Sequence, residues 1–194
     1  MARKRVDGPD ADELDDARLA EVCVEGEEVY SGVLLHVWRD VVRLPNGRRA
    51  VREYIRHPGA TVIVPLFDDA RVLLERQFRY PQGRVMIELP AGKLEPGEPH
   101  LETAQRELRE ETGYVARDWT RLGVIHPAVA YTDEVIEIYL ARGLEQRDAM
   151  PDDDEFLETF SLPFGEALDW VAQGRISDAK TVTGLLWVRT FLPR

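Results

Sequence analysis

The chain has 194 residues, with 25 Lys or Arg against 36 Asp or Glu and a formal net charge of −11. This acidic balance argues against gripping a nucleic-acid backbone, and 44% apolar with 31% charged residues is an ordinary globular mixture. The longest apolar run, at 62–67, is far short of the roughly 18–20 residues of a membrane span, and the lone Cys23 excludes an intramolecular disulfide or a Cys-only zinc site.

The start, Met1-Ala2-Arg3-Lys4-Arg5, runs into acidic residues rather than an apolar stretch, so no secretory signal is expected. The expectation is a soluble, cytoplasmic protein with no nucleic-acid or membrane partner, and Cys23 in a buried, structural place. Residues 1–18 carry many charges and few large apolar side chains, and read as a mobile tail. Short β-rich pieces follow at 23–24, 33–37, 40–44 and 49–54, with Leu44-Pro45-Asn46-Gly47 as hairpin turn chemistry. They predict a small antiparallel β-domain over 19–58. A sheet of that size is marginal alone, so it should pack on the main body or on a second subunit.

The main domain is expected over 59–194. Strands are predicted at 60–67, 71–79 and 84–89, then a loop over 90–97 and one clear helix. Pro99 suits that helix's first position, and Gly113 suits the left-handed residue just past its end. Strands near 119–126 and 134–141, an acidic stretch at 148–155, a strand near 156–163 and helices near 164–173 and 178–191 complete the chain. Trp119, Trp170 and Trp187 are expected in the core. The order predicts α+β, with helices covering a mixed sheet.

On a helical wheel Leu101, Ala104 and Leu108 form an apolar stripe. Glu107 and Glu111, spaced i,i+4, lie at its edge, with Glu110 on the other side of Glu107. Carboxylates there are poorly solvated and mutually repelling, so a positive group should compensate them. Arg106 and Arg109 can do part of this; a hard divalent cation such as Mg²⁺, which takes carboxylate oxygens and keeps positions for water and phosphate, does it better. A solvated helix laced by Glu102–Arg106 and Arg106–Glu110 pairs is the plain alternative. The full spacing decides. Gly92, Glu98, Arg106-Glu107-Leu108, Glu110-Glu111 and Gly113-Tyr114 make G-x5-E-x7-R-E-U-x-E-E-x-G-U, where U is a large apolar residue. At typical residue usage a chance match is on the order of one in 10⁷.

That pattern resembles the Nudix box of the Nudix hydrolases, with Tyr114 where the family more often has an aliphatic residue. Gln77-Phe78-Arg79-Tyr80-Pro81, Glu88-Leu89-Pro90-Ala91-Gly92-Lys93, Asp178-Ala179-Lys180-Thr181 and the preceding small β-domain are similar to the ADP-ribose pyrophosphatase branch. The resemblance implies a Nudix α/β/α sandwich and cleavage of a nucleoside diphosphate sugar, ADP-ribose foremost, with GDP-mannose, UDP-glucose or ADP-glucose as alternatives. A nucleotide-binding sensor that does not cut is the rival from another class. The resemblance further implies Mg²⁺ (or Mn²⁺) and a homodimer that exchanges its small β-domains. Glu107 and Glu111 would be the main metal ligands, joined by Glu110 and the Ala91 carbonyl. Arg106 would orient the carboxylates, Glu98 would brace the loop and helix, and Gly92 would permit close approach. Glu155 would be ligand or base; Asp153 falls where the branch places its base. Arg79 would contact the diphosphate or terminal ribose, and Arg52 and Arg56 the nucleobase or phosphates. Val129 stands near the place where the branch carries a proline. No H-E-x-x-H, G-x-S-x-G or P-loop is present.

Overall fold

The computed structural model describes residues 16–147 and 156–191. The chain divides into two compact units, Met1–Arg56 with Ala130–Thr132, and His57–Val129 with Asp133–Arg194. Among the described residues no helix is long and apolar enough to cross a membrane.

The first unit is an antiparallel sheet of β1 (Val22–Ser31), β2 (His36–Arg43) and β3 (Arg49–Arg56), in that order. The Leu44–Gly47 turn forms as its residues demand: the Gly47 N–H donates to the Leu44 carbonyl at 2.9 Å, and the Arg48 N–H to Asn46 Oδ1 at 3.0 Å. The two pieces expected at 33–37 and 40–44 are one strand, β2. Its start is set by a turn in which the Gly32 N–H donates to the Leu35 carbonyl at 2.9 Å, leaving Val33 to Leu35 outside the ladder. All ten residues of β1 are exposed, so Cys23 has no core to enter. This corrects the expectation of a buried cysteine.

The second unit is built around β4 (Ala60–Pro65), whose six residues are all buried. Strand β4 runs parallel to β9 (Ile136–Gln146) and antiparallel to β7 (Ala91–Lys93); β9 pairs antiparallel with β8 (Tyr114–Ile125). The order β7-β4-β9-β8 is a mixed sheet. An antiparallel sheet of β10 (Leu157–Pro163), β5 (Arg71–Arg79) and β6 (Arg84–Glu88) completes the strands. Among the described residues three α-helices accompany them: α1 (His100–Thr112), between β7 and β8, and α2 (Phe164–Ala172) and α3 (Ala179–Phe191), after β10. Alternation along β4 sorts the core. Val62 and Val64 join Leu89, Ile138 and Leu185 in one cluster, while Ile63 joins Ala104 and Leu108 of α1 in another. The fold is α+β, an α/β/α arrangement, with Trp170 and Trp187 packed on the first cluster and Trp119 on the second.

Three local expectations shift. Residues 91–93, expected in a loop, pair with β4. Pro99 is the N-cap of α1 in extended geometry, not its first residue. Leu101 is exposed; the buried side of α1 is Thr103, Ala104, Leu108, Glu111 and Thr112. Leu101 stands in the first turn of α1, whereas Leu108 and Thr112, on the same side of the wheel but further along the helix, are buried. Tyr114, the family departure, packs its ring edge-on against Phe67 with centroids 5.4 Å apart.

Candidate active site

Helix α1 ends cleanly: Gly113 takes φ 71°, and its N–H donates to the Arg109 carbonyl at 2.9 Å. A left-handed residue closes the last turn, which suits glycine. This places the Arg106–Glu111 stretch on a rigid element.

Arg106 is the hub. Its Nε donates to Glu98 Oε1 at 3.0 Å and its Nη2 to Glu98 Oε2 at 2.9 Å, a bidentate fork. Its Nη1 donates to Glu107 Oε1 at 2.8 Å and to Glu110 Oε2 at 3.0 Å, and Nη2 also to the Lys93 carbonyl at 3.2 Å. One guanidinium thus ties the loop before α1, strand β7 and two carboxylates of the helix. The Arg106 fork holds the Glu98 carboxyl down to about 2, and the Glu98 partner raises Arg106 in turn. The Glu95 N–H donates to Glu98 Oε2 at 3.1 Å. Glu98 therefore contributes stability that is complete above its ordinary value of 4.5 and is lost as pH falls toward about 2. Acid unfolding followed by circular dichroism should show a shallower loss across that window in Glu98→Gln, together with lower stability at neutral pH.

Glu111 is buried, and its Oε2 accepts the Ala91 N–H at 3.1 Å. Glu107 lies against Gly92 so closely that a Cβ there would fall 1.8 Å from Glu107 Oε1. Glycine at this position is a matter of space. Glu107 thus lies against Gly92 and Glu111 against Ala91, while Glu107 and Glu110 share Arg106. Among the described residues no three His, Cys, Asp or Glu side chains form a ready cluster for a metal; Arg106 draws two of the carboxylates and the Ala91 N–H draws the third. The donors are all oxygen, and the Gly92 cradle is open to the carboxylate beside it, which fits a hard divalent cation. Asp153 and Glu155 lie outside the described residues.

Arg79, at the end of β5, donates from Nε and Nη2 to Glu88 Oε1 and Oε2 at 2.7 and 3.0 Å. Lys180 also binds Glu88 Oε2, and lies 3.0 Å from Asp178 Oδ2. Asp178 in turn accepts the Thr181 N–H and hydroxyl at 3.0 and 2.7 Å, and Thr181 Oγ1 accepts the Leu89 N–H at 2.9 Å. Burial pushes the Glu88 carboxyl up, but the Arg79 hydrogen bond and the Lys180 charge outweigh it, so the net shift is downward. Both motifs are visible in the sequence, but Glu88 joins them only in the fold, because the cross-strand register that puts Glu88 beside Glu75 is not written in either motif.

Arg52 and Arg56 lie on β3, in the first unit. Arg52 is engaged by Glu21 through Nε at 2.9 Å and Nη2 at 2.5 Å. Arg56 lies over the Trp38 ring, 3.5 Å from its centroid, with Tyr54 directly across the ladder from Trp38. Val129 is exposed.

The NUDIX domain family matches residues 56–183. The chain is 35% identical over 175 residues to an ADP-ribose pyrophosphatase of Bacillus subtilis (strain 168), covering 88% of this chain and 94% of that one. It is 36% identical over 171 residues to a methanol dehydrogenase activator of Bacillus methanolicus, covering 87% and 92%. The crystal structure of an ADP compounds hydrolase superposes with a TM-score of 0.80 at 29% identity, covering 89% of this chain and 94% of that chain. With its box residues gathered on α1 and β7, the chain belongs to the Nudix family. It is a Nudix pyrophosphatase.

Proposed function

We infer that the protein hydrolyses the diphosphate of ADP-ribose to AMP and ribose 5-phosphate, in Mg²⁺, as a cytoplasmic homodimer. The observation that carries the reading is the Glu107–Gly92 and Glu111–Ala91 contact pair, which sets two carboxylates and a strand backbone at one edge. Glu107, Glu111, Glu110 and the Ala91 carbonyl would hold the cation. When bound, such an ion polarises phosphoryl oxygens and makes water a better nucleophile at neutral pH.

The chain's own residues do the rest. A carboxylate, from Glu110, Glu111, Asp153 or Glu155, takes the proton of the attacking water. Water oxygen bonds to one phosphorus as the bridging oxygen departs with the other phosphate. Arg106 keeps Glu107 and Glu110 from recoiling, because three of its N–H groups are directed to fixed partners on the loop and strand. Arg79 has five N–H donors and spends two on Glu88, which leaves donors for the diphosphate. The Trp38–Arg56 stack supports a role for Arg56 at the nucleobase, since a guanidinium plane on an indole presents a flat face for stacking; Arg52 is proposed for a phosphate.

The exposed first unit supports the homodimer. Among its described residues Val42 is the single buried apolar side chain, while Val22, Val24, Val29, Tyr30 and Leu34 are exposed. A three-stranded sheet with so little core of its own needs a covering surface. The test is kcat/KM in Mg²⁺ for ADP-ribose, ADP-glucose, GDP-mannose and UDP-glucose. ADP-ribose should lead by about tenfold or more; another sugar in the lead overturns the substrate, and binding without cleavage restores the sensor reading.

A further inference from the structure

Beside the ion-paired network of Glu88 lies a cavity of about 470 Å³, lined by Arg79, Gln82, Arg84, Glu88, Ser177 and Lys180 among others. Its size falls among small-molecule sites, about 300–1,000 Å³. The hairpin register sets Arg84 directly across from Arg79, so two guanidiniums are cross-strand neighbours. Like charges in that position repel. Arg79 is answered by Glu88, and Lys180 by Glu88 and Asp178. Arg84 is not: its hydrogen bond goes to the Ser177 hydroxyl at 3.2 Å, and among the described residues it has no carboxylate partner. The walls hold three cations beside the carboxylates of Glu88 and Asp178, and Glu75, across the ladder from Glu88, adds its charge near Arg79, so Arg84 is the lining cation left without a carboxylate of its own among the described residues. A neutral hydroxyl can aim a guanidinium but cannot neutralise it.

We propose that this cavity is a phosphoryl-oxyanion subsite, with Arg84 as its binding cation and Gln82 and Ser177 as neutral donors beside it. A guanidinium fork suits phosphate oxygens. The cavity is joined to the catalytic edge by strand β6, which ends at Glu88 and runs through Leu89-Pro90 into Ala91, the residue that holds Glu111. The inference rests on the substrate reading above: the oxyanion belongs to one half of the cleaved diphosphate, the sugar phosphate or the nucleoside monophosphate.

Calorimetric titration of the full chain with ribose 5-phosphate and, separately, with AMP tests this in the wild type, Arg84→Ala and Arg84→Lys. Arg84 is exposed, so its removal spares the core. The expected result is a loss of about tenfold or more in affinity for at least one of the two in Arg84→Ala, partly restored in Arg84→Lys. Whichever ligand responds names the half that the cavity holds. Unchanged affinities for both, or a wild type that binds neither, overturns the proposal. Equal loss in both variants without rescue overturns it too. If ADP-ribose is cleaved yet binding ignores Arg84, the subsite alone falls. If binding depends on Arg84 and ADP-ribose is not cleaved, the substrate reading alone falls.

Discussion

Glu111→Gln is expected to lower kcat for ADP-ribose in Mg²⁺ by about 10³-fold while leaving the melting temperature nearly unchanged. The substitution keeps shape and volume, and an amide carbonyl can still accept the Ala91 N–H that Glu111 Oε2 accepts at 3.1 Å. What it removes is a charge at the edge proposed to face the substrate's phosphates, where cation binding and proton transfer would both need an anionic oxygen. Single-turnover kinetics read beside calorimetric unfolding separate the two effects. Near wild-type turnover would mean that Glu111 is a buried structural carboxylate and that the chemistry lies elsewhere.

Gly92→Ala is expected to damage activity and stability together. The new Cβ would lie 1.8 Å from Glu107 Oε1, 1.9 Å from its Cδ and 2.6 Å from its Cγ, so moving the carboxylate tip alone does not clear it. Glu107 is also anchored by Arg106 at 2.8 Å, and Arg106 by the bidentate Glu98 fork. The side chain must leave that network or β7 must shift from β4. Overpacking of this kind costs about 1–3 kcal/mol, and displacing a proposed ligand should cost at least about 10²-fold in kcat. Gly165→Ala is the contrast: it lies in α2 with nothing within 4 Å of its Cβ position, and alanine there should stabilise by about 0.5–1 kcal/mol. Equal melting temperatures for Gly92→Ala and wild type would contradict the packing described here.

The box was legible in the sequence because its chemistry is local. Residues spaced i,i+4 share a helix face whatever the rest of the chain does, so Glu107 and Glu111 could be paired without coordinates. Gly113 was readable for the same reason, since the left-handed cap depends on one residue's backbone. Leu101 differs from the expectation because a wheel carries angle but not position along the axis: Leu108 and Thr112, on its side of the wheel, are buried, while Leu101 stands in the helix's first turn. Strand β7 is not legible locally, because Ala91-Gly92-Lys93 has no alternation and its pairing is supplied by β4, far away in sequence. Glu88 escaped for a similar reason. Its two cations, Arg79 and Lys180, reach it through a hairpin and through a helix near the chain's end. Cys23, expected in a buried place because no basic partner stands near it in the sequence, lies on a strand that has no buried side.

The most direct measurement is product analysis after incubating the purified protein with ADP-ribose, in Mg²⁺ and again with a chelator in excess. AMP and ribose 5-phosphate in equal amounts, formed in Mg²⁺ and abolished by the chelator, are the predicted result. Intact ADP-ribose in Mg²⁺, or cleavage that proceeds at full rate under the chelator, would contradict a metal-assisted diphosphate hydrolysis at the Glu107–Glu111 edge.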